Sequence, residues 1–409
     1  MIENKGVLTV VLAGGKGERL GPLTRERAKP AVHFGGIYRI IDLTLSNCVN
    51  SGLRRILVLT QYMSRSLSRH LNECWRFISR PTLGEFIEAL PPQHKEGDDW
   101  YRGTADALYQ NLRWILDESP EIVLVLAGDH IYKMDYHHML ALHRARDADM
   151  VVSAVEVPVA QAAGFGILQV DADGRVVGFQ EKPANPAEVP GHPGLCLASM
   201  GIYSFKPGIL REALAADAAN PQSSRDIGKD IIGRLMKDHR VYAFPFIDEN
   251  KKAAKYWRDV GTVDAYWAAN MDLVGVDPEL NLYDEGWPIH TMQVNAPPPK
   301  FVFADIEPGG RAGIGLDSLV ASGCILSGGR VTRSVLSPFV RVRSYAAVEE
   351  SVLFHNVVVG RNCRVRRAII DKGVELPDGT VIGEDPEADR KRFYVSKGGV
   401  VVISKGAIV

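Results

Sequence analysis

Cysteine is sparse and scattered in this chain. Its five residues, Cys48, Cys74, Cys196, Cys324 and Cys363, include no C-x-x-C pair. That argues against a disulfide framework or a close-set zinc site and fits a reducing compartment. A dominant charge is also lacking: 48 Lys and Arg stand against 49 Asp and Glu, a formal net charge of -1. No global field then favours nucleic acid or an acidic membrane, so a charged substrate must be met by local groups. No apolar run reaches the ~18 residues of a spanning helix. The opening MIENKG stretch has no signal-peptide core. The expectation is a cytoplasmic protein without nucleic-acid or membrane partners.

What is present is enough apolar material for a large core. The 409 residues are 46% hydrophobic, which suggests two domains or one large one. The first two-thirds alternate short apolar runs with helix-like segments. Strands are predicted over 7–13, 55–59, 122–127, 150–157, 166–170 and 200–205, and helices around 39–51, 63–72, 105–116, 136–145 and 226–237. Strands separated by crossover helices imply a largely parallel α/β sheet with ligands at the carboxyl ends of its strands. Near residues 296–300, APPPK, three prolines can continue neither a helix nor a central strand. They predict a linker over 291–300, between a domain at 1–290 and another at 301–409. Beyond it, apolar residues recur six apart (Val342, Val348, Phe354; Val357, Cys363, Ile369; Val359, Val365; Ile325, Val331), which predicts hexapeptide rungs of a parallel β-helix. Val359-Gly360 and Ile382-Gly383 read as corners. The phase slips, so on pattern alone an all-β sandwich stays open.

Residues 11–30, VLAGGKGERLGPLTRERAKP, carry the strongest chemical signal. A buried strand that runs into Gly14, Gly15 and Gly17 places backbone N–H groups where a phosphate chain can sit. Arg19 and Lys29 add fixed positive charge. A second apolar strand leads into Gly128-Asp129-His130. Asp129 could bind a hard cation through oxygen or cap a helix beginning near residue 132; His130 reads as a structural neighbour. In Glu181-Lys182-Pro183, Lys182 could neutralise a phosphate and Glu181 accept from sugar hydroxyls, or the two could form a surface ion pair. In Tyr256–Thr262, YWRDVGT, Asp259 would complete a carboxylate pair, and Trp257 could face a sugar ring or fill a core. Tyr101–Ala107 reads as a helix start capped by Thr104, with Gly103 letting backbone approach a base. Ser199 and Tyr203 suit sugar contacts.

The G-G-x-G-x-R-L loop followed by K-P resembles the signature of sugar-nucleotide pyrophosphorylases. RAKPAVHFGGIYRIIDLTLSNCVNSG, WYRGTADA, LAGDHIYKMDY, EKPANP, LASMGIY, DIGKDII and YWRDVGT narrow the resemblance to the ADP-glucose pyrophosphorylase family of bacterial glycogen synthesis. It covers most of residues 7–290. It implies a Rossmann-like nucleotidyltransferase domain with a mainly parallel sheet, then a left-handed β-helix serving regulation and oligomerisation. It also implies the reaction of ATP with glucose 1-phosphate to give ADP-glucose and pyrophosphate, with Mg2+, anionic allosteric effectors and a homotetramer.

Carried onto matching positions, the resemblance assigns Arg19, Lys29 and Asp129 to catalysis. Leu12, Ala13, Gly14, Gly15, Gly17, Tyr101 and Gly103 go to ATP, and Asp129 and Asp259 to the metal. Gly166, Glu181, Lys182, Ser199, Tyr203, Asp226 and Trp257 go to glucose 1-phosphate, and Arg27, His33 and Arg39 to regulation. A sibling enzyme using UTP or dTTP and a non-catalytic regulatory subunit are the alternatives. A damaged subunit would be expected to have lost charge among Arg19, Lys29, Asp129, Lys182 and Asp259, all of which are present. The chain departs from the family at Glu26, where a basic residue commonly meets an anionic activator. A carboxylate there should repel a phosphate, so the activator is expected to differ or to bind elsewhere, or regulation by fructose 1,6-bisphosphate to be weak. Ile227 replaces a phenylalanine beside the sugar, with little effect expected.

Overall fold

Strand β1 (Val7–Ala13) carries apolar side chains on both faces. Val7, Val11 and Ala13 pack into one core with Leu45 and Cys48, and Leu8 and Val10 into another with Leu108 and Leu210. A strand buried on both sides belongs at the centre of a sheet covered by helices above and below. The computed structural model describes residues 4–92, 100–252 and 255–409. Residues 1–3 of the stretch read for a signal peptide lie outside them.

The strands of the first domain are β1, β2 (His33–Phe34), β3 (Tyr38–Arg39), β4 (Arg55–Thr60), β5 (Phe86–Leu90), β6 (Ile122–Ala127) and β7 (His130–Tyr132). They continue with β8 (Met150–Pro158), β9 (Gly166–Val170), β10 (Val176–Glu181), β11 (Leu195–Phe205), β12 (Val241–Pro245) and β13 (Trp257–Asp259). The helices are α1 (Ile40–Asn50), α2 (Arg65–Cys74), α3 (Thr104–Gln110), α4 (Leu112–Asp117), α5 (Tyr136–Ala145), α6 (Pro207–Ala219), α7 (Gly233–Asp238) and α8 (Val263–Met271).

The 9-stranded sheet runs β10-β9-β11-β6-β1-β4-β5, with β8 on β11 and β12 on β8. Its centre, β6, β1, β4 and β5, is parallel as expected. Beyond β6 the sheet is mixed, because β11 runs antiparallel to β6, β8 and β9. Short turns rather than crossover helices join β9 to β10, and that is the antiparallel solution.

Several elements differ from the sequence expectation. β5 is a half-exposed edge strand, β10 contains Gly178 and β12 ends in Pro245, so none shows a clean apolar run. The alanine-rich α6 and α8 were not anticipated. The expected helix over 105–116 breaks at Asn111, whose amide donates to the Tyr101 hydroxyl at 2.9 Å and the Ala107 carbonyl at 2.8 Å. The expected helix over 226–237 opens as a π-helical turn, Ile227–Ile232, before α7.

Past the prolines the chain winds into a parallel β-helix of three stacked sheets, which excludes a sandwich. Its first strand, Lys300–Val302, already includes the last residue expected in the linker. Through the middle coils partners in register lie 17 residues apart, as in Ser334, Ser351 and Ala368, and in the first coils 16. The inward residues Val342, Val348, Leu353 and Val359 advance in uneven steps, which is why a strict six-residue phase slips. Phe354 and Ile369, counted in that recurrence, face the first domain instead.

One of the three sheets carries apolar doublets, Val335-Leu336, Val352-Leu353, Ile369-Ile370 and Val402-Ile403. The second residue of each fills the β-helix, and the first packs against the other domain beside Leu20, Leu23, Phe34 and Tyr266. The other two sheets turn Arg330, Glu349, Arg364, Arg341 and Glu375 to solvent.

Candidate active site

β1 ends at Ala13, and Gly14–Gly17 carry the chain over the sheet edge into a short 3-10 segment, Glu18–Thr24. Gly17 has φ 64°, and a Cβ there would stand 3.0 Å from the Lys29 Cβ. Its carbonyl accepts from the Leu20 N–H at 2.9 Å and the Thr24 hydroxyl at 3.0 Å. Glycine is therefore needed for both conformation and space. Nothing lies within 4 Å of the side-chain position of Gly15, so that part of the loop faces open space.

β6 ends beside it. The Gly128 N–H donates to the Leu12 carbonyl at 3.0 Å, tying the two strand ends together and delivering Asp129 next to the loop. Asp129 is not a helix cap, because α5 begins later and Asp135 caps it through the His137 N–H. Asp259 arrives from the short β7–β13 ladder, opposite His130. The two carboxylates converge on Lys29, whose Nζ lies 2.8 Å from Asp129 Oδ2 and 3.1 Å from Asp259 Oδ1. Arg19 sits 3.9 Å from Asp259 and is 72% exposed, free to reach an incoming anion. Gly261 makes room for it, since a Cβ there would stand 2.8 Å from Arg19 Nη2.

Burial by itself would lower the Lys29 pKa, but the two aspartates outweigh it and hold the ammonium charged. Burial would likewise raise Asp129, and Lys29 outweighs it. A cation already balances between two oxygen-only ligands. Among the described residues no group of three or more His, Cys, Asp or Glu is placed to hold a metal ion. Two carboxylates fit Mg2+, which usually keeps waters and takes its remaining oxygens from substrate phosphates.

The loop and these charges line a cavity of about 1060 Å3. Leu12, Ala13, Tyr101, Gly103, Tyr203 and Asp226 line it too. So do Leu59, Gln61 and Tyr62, which the sequence reading missed. Their signal was available, because they end and follow β4 as Gly14 follows β1 and Gly128 follows β6. Gly201 also lines it, at φ 70° in a register shift of β11 between Ser199 and Tyr203. Such a bulge re-aims the flanking side chains.

One reading of the Tyr101–Ala107 stretch is corrected. Thr104 does not cap α3; Gly103 holds the cap position, and the Thr104 hydroxyl is engaged with Asp226 and Ile227. Gly103 lines the cavity, and a Cβ on it would collide with the Arg225 carbonyl.

Gly166, Glu181, Lys182, Ser199 and Trp257 are not among the residues that line this cavity. Gly166 pairs with Glu181 across β9 and β10, and a Cβ on it would stand 2.5 Å from Phe179. Glu181 and Lys182 pair with each other at 2.9 Å, and Lys182 is 62% exposed. Trp257 packs against His130 and Phe165, with ring centroids 5.3 and 5.1 Å away. Its buried indole N–H has no hydrogen-bond partner among the described residues. Burial, with Asp226 and Glu181 adding to it, pushes the Tyr203 phenol far up, so it stays a hydroxyl.

The expected regulatory residues gather between the domains, but Arg27 is not free. Its guanidinium is 3% exposed and pairs with Asp371 of the β-helix, both oxygens at 2.9 Å, leaving Nη1 without a partner among the described residues. His33 packs on Phe354 and His355. Arg39 donates to the Ser66 carbonyl and hydroxyl at 2.9 and 3.0 Å. Glu26 pairs with Lys405 at 2.8 Å, so the two domains neutralise each other at that rim.

A family model described as nucleotidyl transferase matches residues 8–275. The chain belongs to the nucleotidyl transferase family. A second model, GlmU-like C-terminal hexapeptide, matches residues 297–403, and the β-helix is of the left-handed hexapeptide type. A Rhodopirellula baltica protein named glucose-1-phosphate adenylyltransferase is 55% identical over 98% of this chain and 90% of its own. One of that name from Koribacter versatilis is 53% identical over 99% and 96%, and one from Hydrogenovibrio crunogenus 55% over 97% and 93%. This nucleotidyltransferase thus matches its relatives along both domains.

Proposed function

We propose that the protein joins ATP to glucose 1-phosphate, forming ADP-glucose and pyrophosphate for glycogen synthesis, with Mg2+ as its divalent ion. The observation that carries the reading is Lys29 held between Asp129 and Asp259 beside a glycine loop. It fits a site that must balance a triphosphate, a metal and two acids at once. Gly14, Gly15 and Gly17 offer backbone N–H groups to the triphosphate, and Leu12, Ala13, Tyr101 and Gly103 border the nucleoside. Arg19 and Lys29 stabilise the departing pyrophosphate. Gly166, Glu181, Ser199, Tyr203, Asp226 and Trp257 surround the sugar, with the unpartnered Trp257 N–H available to a hydroxyl, and Lys182 meets its phosphate.

When bound, Mg2+ on Asp129 and Asp259 supplies charge neutralisation at the phosphates under attack. The attacking phosphate oxygen is already an anion, so no side chain needs to take a proton. Catalysis is positioning plus charge stabilisation.

The cationic seam of Arg39, Lys372 and Lys405, with His33 and His355 and beside the Asp371-paired Arg27, is the place for an anionic effector. The Glu26–Lys405 pair narrows it, so Glu26→Lys should strengthen activation by fructose 1,6-bisphosphate. Strong wild-type activation unchanged by the substitution would overturn that. The protein works in the cytoplasm as a homotetramer.

Pyrophosphate release should be measured with glucose 1-phosphate, Mg2+ and each of ATP, UTP, GTP and dTTP, with Asp129→Ala as control. Turnover with ATP, lost in the variant, is the expected result. Preference for UTP or dTTP would move the protein to a sibling activity, and silence with all four would indicate a regulatory subunit.

A further inference from the structure

Thr104 stands on the nucleotide side of the cavity, at the start of α3, yet its hydroxyl is engaged on the sugar side. Thr104 Oγ1 accepts from the Ile227 N–H at 2.9 Å and donates to Asp226 Oδ2 at 3.3 Å. The other carboxylate oxygen, Oδ1, accepts from the Lys229 N–H at 3.1 Å and caps the π-helical turn. Both oxygens of Asp226 are thus fixed, one by its own turn and one by an element distant in sequence.

The neighbours reinforce this join. The Ala105 N–H donates to the Arg225 carbonyl at 2.8 Å, and Gly103 leaves space for that same carbonyl. Arg225 has φ 62°, and its guanidinium reaches back to the Ala218 carbonyl at 2.9 Å. The backbone join already holds residues 103–105 against 225–227. Among the described residues, the Thr104 hydroxyl adds the one contact in this join that reaches the Asp226 side chain. Its effect is on where that carboxylate points, rather than on whether the segments meet.

We propose that Thr104 is a positioning residue for glucose 1-phosphate: its hydroxyl orients the Asp226 carboxylate toward the sugar hydroxyls. The proposal rests on the reading of Asp226 as a sugar ligand. A valine is close in shape but lacks the hydroxyl, leaving the Ile227 N–H unpaired and Asp226 Oδ2 free to turn.

Steady-state kinetics on the full chain test it, with Thr104→Val, Thr104→Ser, Asp226→Asn and the Thr104→Val/Asp226→Asn double variant. Thr104→Val should raise KM for glucose 1-phosphate by about tenfold, the loss of one hydrogen bond to a charged group, with KM for ATP within about twofold. Thr104→Ser should restore the wild-type value. The double variant should be no worse than Asp226→Asn alone, because Thr104 acts through Asp226. Thr104→Ala runs in parallel, so that a packing defect in the valine variant does not decide the matter. Equal increases in KM for both substrates, additive losses in the double variant, or no rescue by serine would each overturn the proposal. If Asp226→Asn leaves KM for glucose 1-phosphate unchanged, the assignment of Asp226 itself fails, and that single variant reveals it separately.

Discussion

Lys29 is the residue on which two readings of one position meet. From the sequence it is a cation near a phosphate loop; in the fold it lies between Asp129 and Asp259. Lys29→Met should lower kcat by about 10²–10³, the range for removing a group aimed at developing charge, and circular dichroism should show the fold retained. A variant with near-normal kcat would remove Lys29 from the chemistry. Arg27, only two positions away, plays a different part. Arg27→Met strands Asp371 in a buried setting and should cost about 3–5 kcal/mol, seen as a large fall in Tm. Pairing it with Asp371→Leu should recover most of that loss, because two apolar groups replace a buried ion pair. Charge at these positions was legible in the sequence because lysine, arginine and aspartate followed strand ends. That Arg27 is spoken for by Asp371 was not legible, since its partner lies 344 residues away.

Among the elements, the strands that position the site were the easiest to read. β1 and β6 match their expected bounds, since both are apolar runs, interrupted in β1 only by Thr9, and both are followed by glycine. β5, β10 and β12 were hidden because edge position, an internal glycine or a terminal proline breaks the apolar pattern that marks buried strands. The break at Asn111 depends on a side-chain contact with Tyr101, which no local propensity encodes. The β-helix pattern was visible but its period was not, because the inward steps are uneven. Corner geometry there is strict. Gly383 has φ 81°, and a Cβ on it would collide with the Arg366 carbonyl. Gly383→Ala should therefore lower Tm, whereas Gly52→Ala, also at positive φ (74°) but with nothing within 4 Å, should lower it less. Equal effects would mean that backbone conformation, not the collision, sets the cost.

The whole molecule depends on how the domains meet, and that junction contains histidines held neutral. Burial, with help from Arg39 and Lys372, pushes His355 down to about 4. Burial, His355 and Arg39 push His33 down as well. A histidine whose pKa falls on folding contributes stability that is fully present above its unfolded value near 6.5. That stability is lost as pH falls from there toward about 4. Tm should therefore drop on acidification through this window, and His355→Gln should flatten the drop; an unchanged slope would exclude His355 as a source. The apolar doublets make the junction extensive, so calorimetry should show both domains melting in one transition, and two separate transitions would contradict a shared core.

Length in the β-helix is closely controlled. The first coils take 16 residues and the later ones 17, and each returns one doublet to the same docking stripe. A one-residue deletion that shifted the phase of a doublet strand would swap its inward and outward members, so small length changes belong at corners, where the difference between 16- and 17-residue coils is taken up. The last coil absorbs a larger change. Helix Pro386–Arg392 and strand Tyr394–Val395 are inserted after Ile382, yet Ile369 still meets Val402 in register. The β-helix can thus gain or lose material over evolutionary time as a stack of interchangeable layers, while the face it presents to the catalytic domain keeps its spacing.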